Sequence, residues 1–329
     1  MKRRTILGEL LLALFGLGLP LGAPSVAAGA AGDLFEADAG TNVIYEYTPN
    51  GKSRSVFASA LNGPDALAFD AHGNLFVADC FSGNIYQFAP GGTRSTFASG
   101  LNRPNALAFD SGGNLFAVDY LSNSIVTFTP GGIRSTFASG LNEPSALAFD
   151  AMGNLFETDS GSGSIYEFAL SGSQTSFASG LAAPSGLAFD AHGNLFEADA
   201  LSGNIYKFTS GGVRSTFASG FYRPYPLAFD ASGNLFMADY GYGYIYEFAP
   251  SGSQSLFASG LHSPSALAVA PTITPEPSPL ALLGAAAVVL AGYAWSARRM
   301  CPASMAASRS RSAGERVSRA AASVASEPC

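Results

Sequence analysis

Along the middle of the chain, apolar residues recur in short alternating runs, not at helical spacing. The segments ALAFD, NLFxAD, IYxF and STFAS return in that order, each bounded by Gly, Pro, Asn or Ser. Alternation over so few residues, with Phe, Tyr, Ile and Thr prominent, predicts strands. No segment offers a run long enough for an amphipathic helix. FDAHGNLFVADCFSGNIYQF begins at Phe69, and near copies begin at Phe109, Phe149, Phe189 and Phe229, a period of 40 residues. Such a period belongs to solenoids, propellers or arrays, and four short strands per repeat fit a propeller blade.

The ends of the array give the blade count. The chain enters on a second strand at Asp33-Leu34-Phe35 and leaves on a lone first strand, PSALAV, at 264–269. Three strands at one end and one at the other complete each other. The expected fold is therefore all-β: a six-bladed β-propeller of four-stranded blades over 31–271. The C-terminal strand joins the N-terminal blade, so no sheet edge is left open at the seam.

The copy PSGLAFDAHGNLFEADALSGNIYKF, from Pro184, resembles an NHL repeat. That family's pattern is P-x-G-[LI]-A-x-D-x-x-G-N-[LI]-[YF]-V-A-D, then a second polar turn and an I-x-x-F strand. The resemblance recurs in each copy over roughly 32–270, and the SMP-30/gluconolactonase propellers share the architecture. WD40 is disfavoured: no GH…WD signature occurs, and the single Trp, Trp295, lies beyond the repeats. The resemblance implies either a binding propeller or an enzyme. SMP-30-like enzymes hold a divalent metal with carboxylate and amide side chains from different blades, and NHL-type amidating lyases use a three-histidine zinc site. Here His72 and His192 fall in the first-to-second turn and His262 in an inter-blade link, so the three are not expected to meet. Neither the lactonase Glu and Asn set nor a G-x-S-x-G motif is found. The expectation is a non-enzymatic protein with no catalytic residue, metal or cofactor. A metal-dependent SMP-30-like hydrolase or lyase, carrying a divalent cation, is the alternative.

One turn invites a metal. Asp190, His192 and Asn194 have the alternate spacing of a calcium loop. Yet the histidine position holds His72, Gly112, Met152, His192 and Ser232, and the Glu197 position holds Glu36, Val77, Ala117, Glu157, Glu197 and Met237. The aspartate recurs as Asp70, Asp110, Asp150, Asp190 and Asp230, and gives way to Ala270 only where no second strand follows. An aspartate that accompanies the hairpin is expected to cap turn N–H groups. The ring Asp38, Asp79, Asp119, Asp159, Asp199 and Asp239 ends the second strands and is expected to bond backbone N–H groups of adjacent loops.

Alternate turns of a blade lie on opposite faces. The first-to-second turn is nearly constant, whereas the inter-blade link runs GPD, RPN, EPS, APS, RPY and SPS, and the second-to-third turn drifts with it. Individuality thus gathers on one face, at Arg103, Glu143, Tyr120, Tyr222, Arg223, Tyr225, Tyr240 and Tyr242. Either this face binds a ligand, with tyrosines suited to sugar rings, or near-identical repeats have drifted where nothing constrains them. Residues 33–272 carry 8 Lys and Arg against 20 Asp and Glu, a formal −12, which argues against nucleic acid as a partner.

The flanks carry addresses. Residues 1–30 show a Lys2-Arg3-Arg4 start, an apolar run and small residues at Ala27 and Ala30, the pattern of a secretory signal peptide; an uncleaved anchor is the alternative. The stretch 272–300 holds Pro275-Glu276-Pro277, an apolar run at 280–295 of transmembrane character, then Arg298 and Arg299. This resembles the PEP-CTERM sorting signal, which implies an exosortase-type processing protease, a transient inner-membrane anchor, and delivery to the cell surface or extracellular matrix. The membrane is then met only through that helix. An extracellular polysaccharide or surface protein is the expected partner. Unlike that family's usual ending, 29 Ala/Ser/Arg-rich residues follow at 301–329, expected to be disordered. The three cysteines, Cys80, Cys301 and Cys329, show no paired spacing, and Cys80 is expected to be inert.

Overall fold

The computed structural model describes residues 31–272 except Leu170. The expected signal peptide, sorting motif, transmembrane helix and tail lie outside the described residues. Among those described, no helix is long and apolar enough to cross a membrane.

Residues 31–272 form six four-stranded antiparallel sheets. Blade 1 is composite: inner strand Pro264–Val269, then Leu34–Asp38, Val43–Tyr47 and outer strand Arg54–Ala58. Blades 2 to 6 follow as 64–98, 104–139, 144–178, 184–219 and 224–259. The seam has full register, with Leu34 opposite Val269 and Ala37 opposite Ala266. Beyond it, Ala270 N–H donates to Asp33 O at 2.8 Å and Gly32 N–H to Ala270 O at 3.1 Å. The expected closure and blade count are what the structure has.

The second strand is buried along its whole length in every blade. This follows from its position: blades stack face to face, so both sides of an interior strand meet apolar neighbours. A phenylalanine relay joins the blades. Phe35 meets Phe57 of its own outer strand edge-on at 5.0 Å and Phe69 of the next inner strand at 5.2 Å. The same triad recurs around Phe76, Phe116, Phe156 and Phe196. Edge-to-face rings of this kind contribute about 0.5–1.5 kcal/mol per pair beyond their buried area. At the seam Val269 stands where the other copies have Phe, so Phe236 keeps only Phe257.

Both aspartate sets are structural. Asp70 Oδ1 accepts from His72 N–H at 2.9 Å and Asn74 N–H at 2.8 Å, and Oδ2 from Asn74 Nδ2 at 2.7 Å. Asp110, Asp150, Asp190 and Asp230 repeat this turn. On the opposite face Asp79 accepts from Asn62 N–H, Asp199 from Ala182 N–H and Asp239 from Tyr222 N–H. Asp38 does the same across the seam, from His262 N–H at 2.9 Å. Each carboxylate therefore ties the link entering a blade to that blade's second strand.

Candidate functional site

The residue after each link proline faces the central channel: Asp65, Asn105, Ser145, Ser185, Tyr225 and Ser265. The serines bridge blades. Ser145 Oγ donates to Pro184 O at 2.8 Å, Ser185 Oγ to Pro224 O at 3.1 Å, and Ser265 Oγ to Pro64 O at 2.7 Å. Asn105 reaches Pro144 O with Nδ2 at 3.4 Å. Asp65 and Tyr225 break the series, and around them the channel widens on the link face into a cavity of about 420 Å³. That is the size of an ordinary ligand pocket.

The cavity's rim comes from links and second-to-third turns. Arg103 and Tyr120 project from blade 3, Arg223 and Tyr240 from blade 6, with Asp65, Cys80 and Phe81 from blade 2. The Arg103 guanidinium lies 5.3 Å from the Phe81 ring centre and that of Arg223 5.9 Å from Tyr240. The Tyr225 and Tyr240 rings are 6.2 Å apart. Arg103 holds a left-handed backbone, φ 60°, where blade 2 has Gly63. A β-carbon there is strained, and the aspartate cap and link contacts hold it in place.

Burial dominates the electrostatics. It pushes the Asp65 carboxyl up to about 7. It raises the Cys80 thiol to about 11, with the Asp65 charge adding to the shift. A thiol so held is protonated at neutral pH and a poor nucleophile. The Tyr225 hydroxyl is pushed far up, by burial first and by Asp65 next. The Tyr120 hydroxyl is also raised, by burial and by the Glu143 charge, with Arg103 opposing. These groups act near neutral pH as hydrogen-bond donors and acceptors, with two fixed cations beside them.

Of the eight residues expected on this face, Arg103, Tyr120, Arg223, Tyr225 and Tyr240 converge on the cavity. Tyr222 and Tyr242 do not. They pack on each other at 5.4 Å, and Tyr242 stacks on Tyr244 at 6.1 Å, on the exposed outside of blade 6. Glu143 is exposed and stands outside the lining, near Tyr120. Among the described residues no cluster of His, Cys, Asp and Glu is arranged to hold a metal. His72 and His192 flank turn aspartates and His262 sits against Asp38, and none of the three lines the cavity. Sequence reasoning missed Asp65 and Asn105. Their signal was present: comparing the six post-proline positions shows one acid and one amide among four other residues.

No family model and no curated protein matches the chain. Solved structures do. A chain of a nidogen/laminin complex superposes with a TM-score of 0.67 at 21% identity, covering 72% of this chain and 98% of that one. A virginiamycin B lyase from Staphylococcus aureus gives 0.56 at 15%, covering 70% and 84%. A putative gluconolactonase gives 0.59 at 17%, covering 67% and 85%. At these identities the likeness extends to the six-bladed fold, which hosts binding proteins and enzymes alike.

Proposed function

We propose that the protein is an exported, surface- or matrix-associated propeller that binds a glycan or a surface protein through the link-face cavity, without catalysing a reaction. The observation that carries this reading is the composition of the cavity. It gathers three tyrosines and two arginines at positions where the repeats depart from one another, and its thiol is held protonated. Export and membrane arrest rest on the sequence patterns at 1–30 and 272–300. A stacked tyrosine contributes about 1 kcal/mol beyond its area. Two or three, together with the apolar area they bury, give recognition of roughly millimolar strength, about −4 kcal/mol, which repetition in a matrix strengthens through avidity.

The test is retention of the full chain on exopolysaccharide and surface-protein fractions of its host. Tyr225→Ala and Tyr240→Ala are expected to abolish retention, and His72→Ala and His192→Ala to leave it intact. The reverse pattern would place binding on the opposite face. A stoichiometric divalent metal surviving dialysis of the purified chain would instead favour the SMP-30-like enzyme.

A further inference from the structure

Arg103 and Tyr120 recur as Arg223 and Tyr240 after 120 residues, three repeats of 40. In a six-bladed ring three repeats are half a turn. The two pairs therefore face each other across the cavity, from blades 3 and 6. The intervening links carry Glu143, Ala183, Ser263 and Gly63 at the arginine position, so no other blade supplies a cation there. Of the eight Lys and Arg in 33–272, only these two line the cavity. Among the described residues neither is ion-paired, whereas Arg134 is bonded to Asp119 at 2.9 Å. Each guanidinium leans on an aromatic ring and keeps its donors free. A planar fork of that kind matches a carboxylate.

Building on the binding role proposed above, the geometry points to an acidic polysaccharide as the ligand, lying across the cavity with carboxylates of separate uronic-acid units held at Arg103 and Arg223. Two like half-sites half a turn apart suit a polymer that repeats its charge. The rings of Tyr120, Tyr225 and Tyr240 offer faces for pyranose C–H groups, and their hydroxyls with Asn105 offer bonds to sugar hydroxyls. Asp65 is the one acid in the lining. Burial pushes its carboxyl up to about 7, so near neutral pH it is partly protonated and can donate to a sugar oxygen. The propeller's formal −12 opposes a polyanion at long range. At physiological salt that repulsion is screened beyond about 8 Å, while contacts inside the cavity are screened much less. The half-sites differ in backbone, since Arg103 is left-handed and Arg223 is not, so they are not expected to contribute equally.

Calorimetry of the full chain with a defined oligouronate, its carboxyl-reduced neutral counterpart and the single uronate tests this. The oligouronate is expected to bind at least about tenfold more tightly than either control, with affinity falling as salt rises. Arg103→Gln and Arg223→Gln are each expected to weaken it, by unequal factors on the order of tenfold. Both side chains are exposed, so folding should persist, and an unchanged melting temperature verifies that. Equal binding of the acid and reduced forms, or indifference to both arginine changes, overturns the acidic assignment. Retention dependent on Tyr225 and Tyr240 would then still stand. A single uronate as tight as the oligomer overturns the two-ended geometry. A polyglutamate peptide binding more tightly than the oligouronate overturns the carbohydrate assignment.

Discussion

Glu36, Glu157 and Glu197 are fully buried on their second strands, and none of their carboxylate oxygens accepts a hydrogen bond. The same position in other blades holds Val77, Ala117 and Met237, so the fold does not need a carboxyl there. Burial, reinforced by the neighbouring aspartate at the strand end, pushes Glu36 and Glu157 up to about 9 and Glu197 well above its ordinary value. The sign follows. Below about pH 4.5 the glutamates are neutral whether the chain is folded or not. As pH rises the unfolded chain ionises first, so the folded state binds more protons and stability falls, until the curve flattens above about pH 9. The slope is at most about 1.4 kcal/mol per pH unit for each glutamate. Thermal melts are expected to show stability decreasing from pH 5 to 8.5. Glu36→Val, Glu157→Ala and Glu197→Met together should raise the melting temperature at pH 8 and remove most of that slope; a slope unchanged in the triple variant would place its origin elsewhere. The sequence shows the variability of this position but not its burial. An acid between apolar neighbours reads like any outward residue of a half-buried strand until stacking on both faces is known.

At the level of elements, links and turns vary in compensating pairs. Phe81 lies over Gly63 in blade 2, and Tyr222 lies where a side chain at Gly241 would be in blade 6. Much of the individuality on this face is therefore local packing, which fits the place of Tyr222 and Tyr242 outside the cavity lining although they lie on the same face as the residues that form it. The Tyr225-Pro226 segment is a second such case. Proline has no N–H to donate, and the inner strand of blade 6 loses the ladder pair that the other blades keep at that position. The Tyr225 carbonyl, next to that proline, lies so close to blade 5 that a β-carbon on Gly186 would collide with it. Other copies have Ala or Pro there. Gly186→Ala is expected to cost about 1–3 kcal/mol and to weaken ligand retention by moving Tyr225. In a Pro226→Ala background the same change should cost much less, and a double-mutant cycle reads the coupling. Additive costs would mean that the proline does not create the close approach. The sequence marks Gly186 and Pro226 as exceptions in neighbouring repeats. That they answer each other depends on the inter-blade distance, which no linear pattern contains.

For the whole molecule, the ring topology was legible because it is a counting argument: one strand and three strands from opposite ends make a blade, and each repeat carries its own turn chemistry. The cavity was legible only as a face, since its depth depends on where Asp65 and Tyr225 fail to bridge the blades. The seam is where the ring is expected to be weakest. It lacks the phenylalanine that Val269 replaces, and its inner strand is held by no covalent continuity with the strand it pairs. It is still built from specific contacts: the ladder from Leu34 to Ala37, Asp38 capping His262 and Ser263, and Ser265 Oγ bonded to both Ala37 O and Pro64 O. Deleting 262–272 removes all of these. It strips the inner strand from blade 1, leaves the Asp38 carboxylate without its link N–H groups, and uncovers Leu34 and Phe35 toward the channel. The melting temperature is expected to fall by on the order of 10 °C or more, with aggregation through the newly open edge of Leu34–Asp38. Ser265→Ala is the milder companion: it leaves the ladder intact but removes one bridging hydroxyl, at a cost of about 1 kcal/mol. A deletion that melts like the intact chain would show that blade 1 is stable as three strands and that the ring does not depend on its seam.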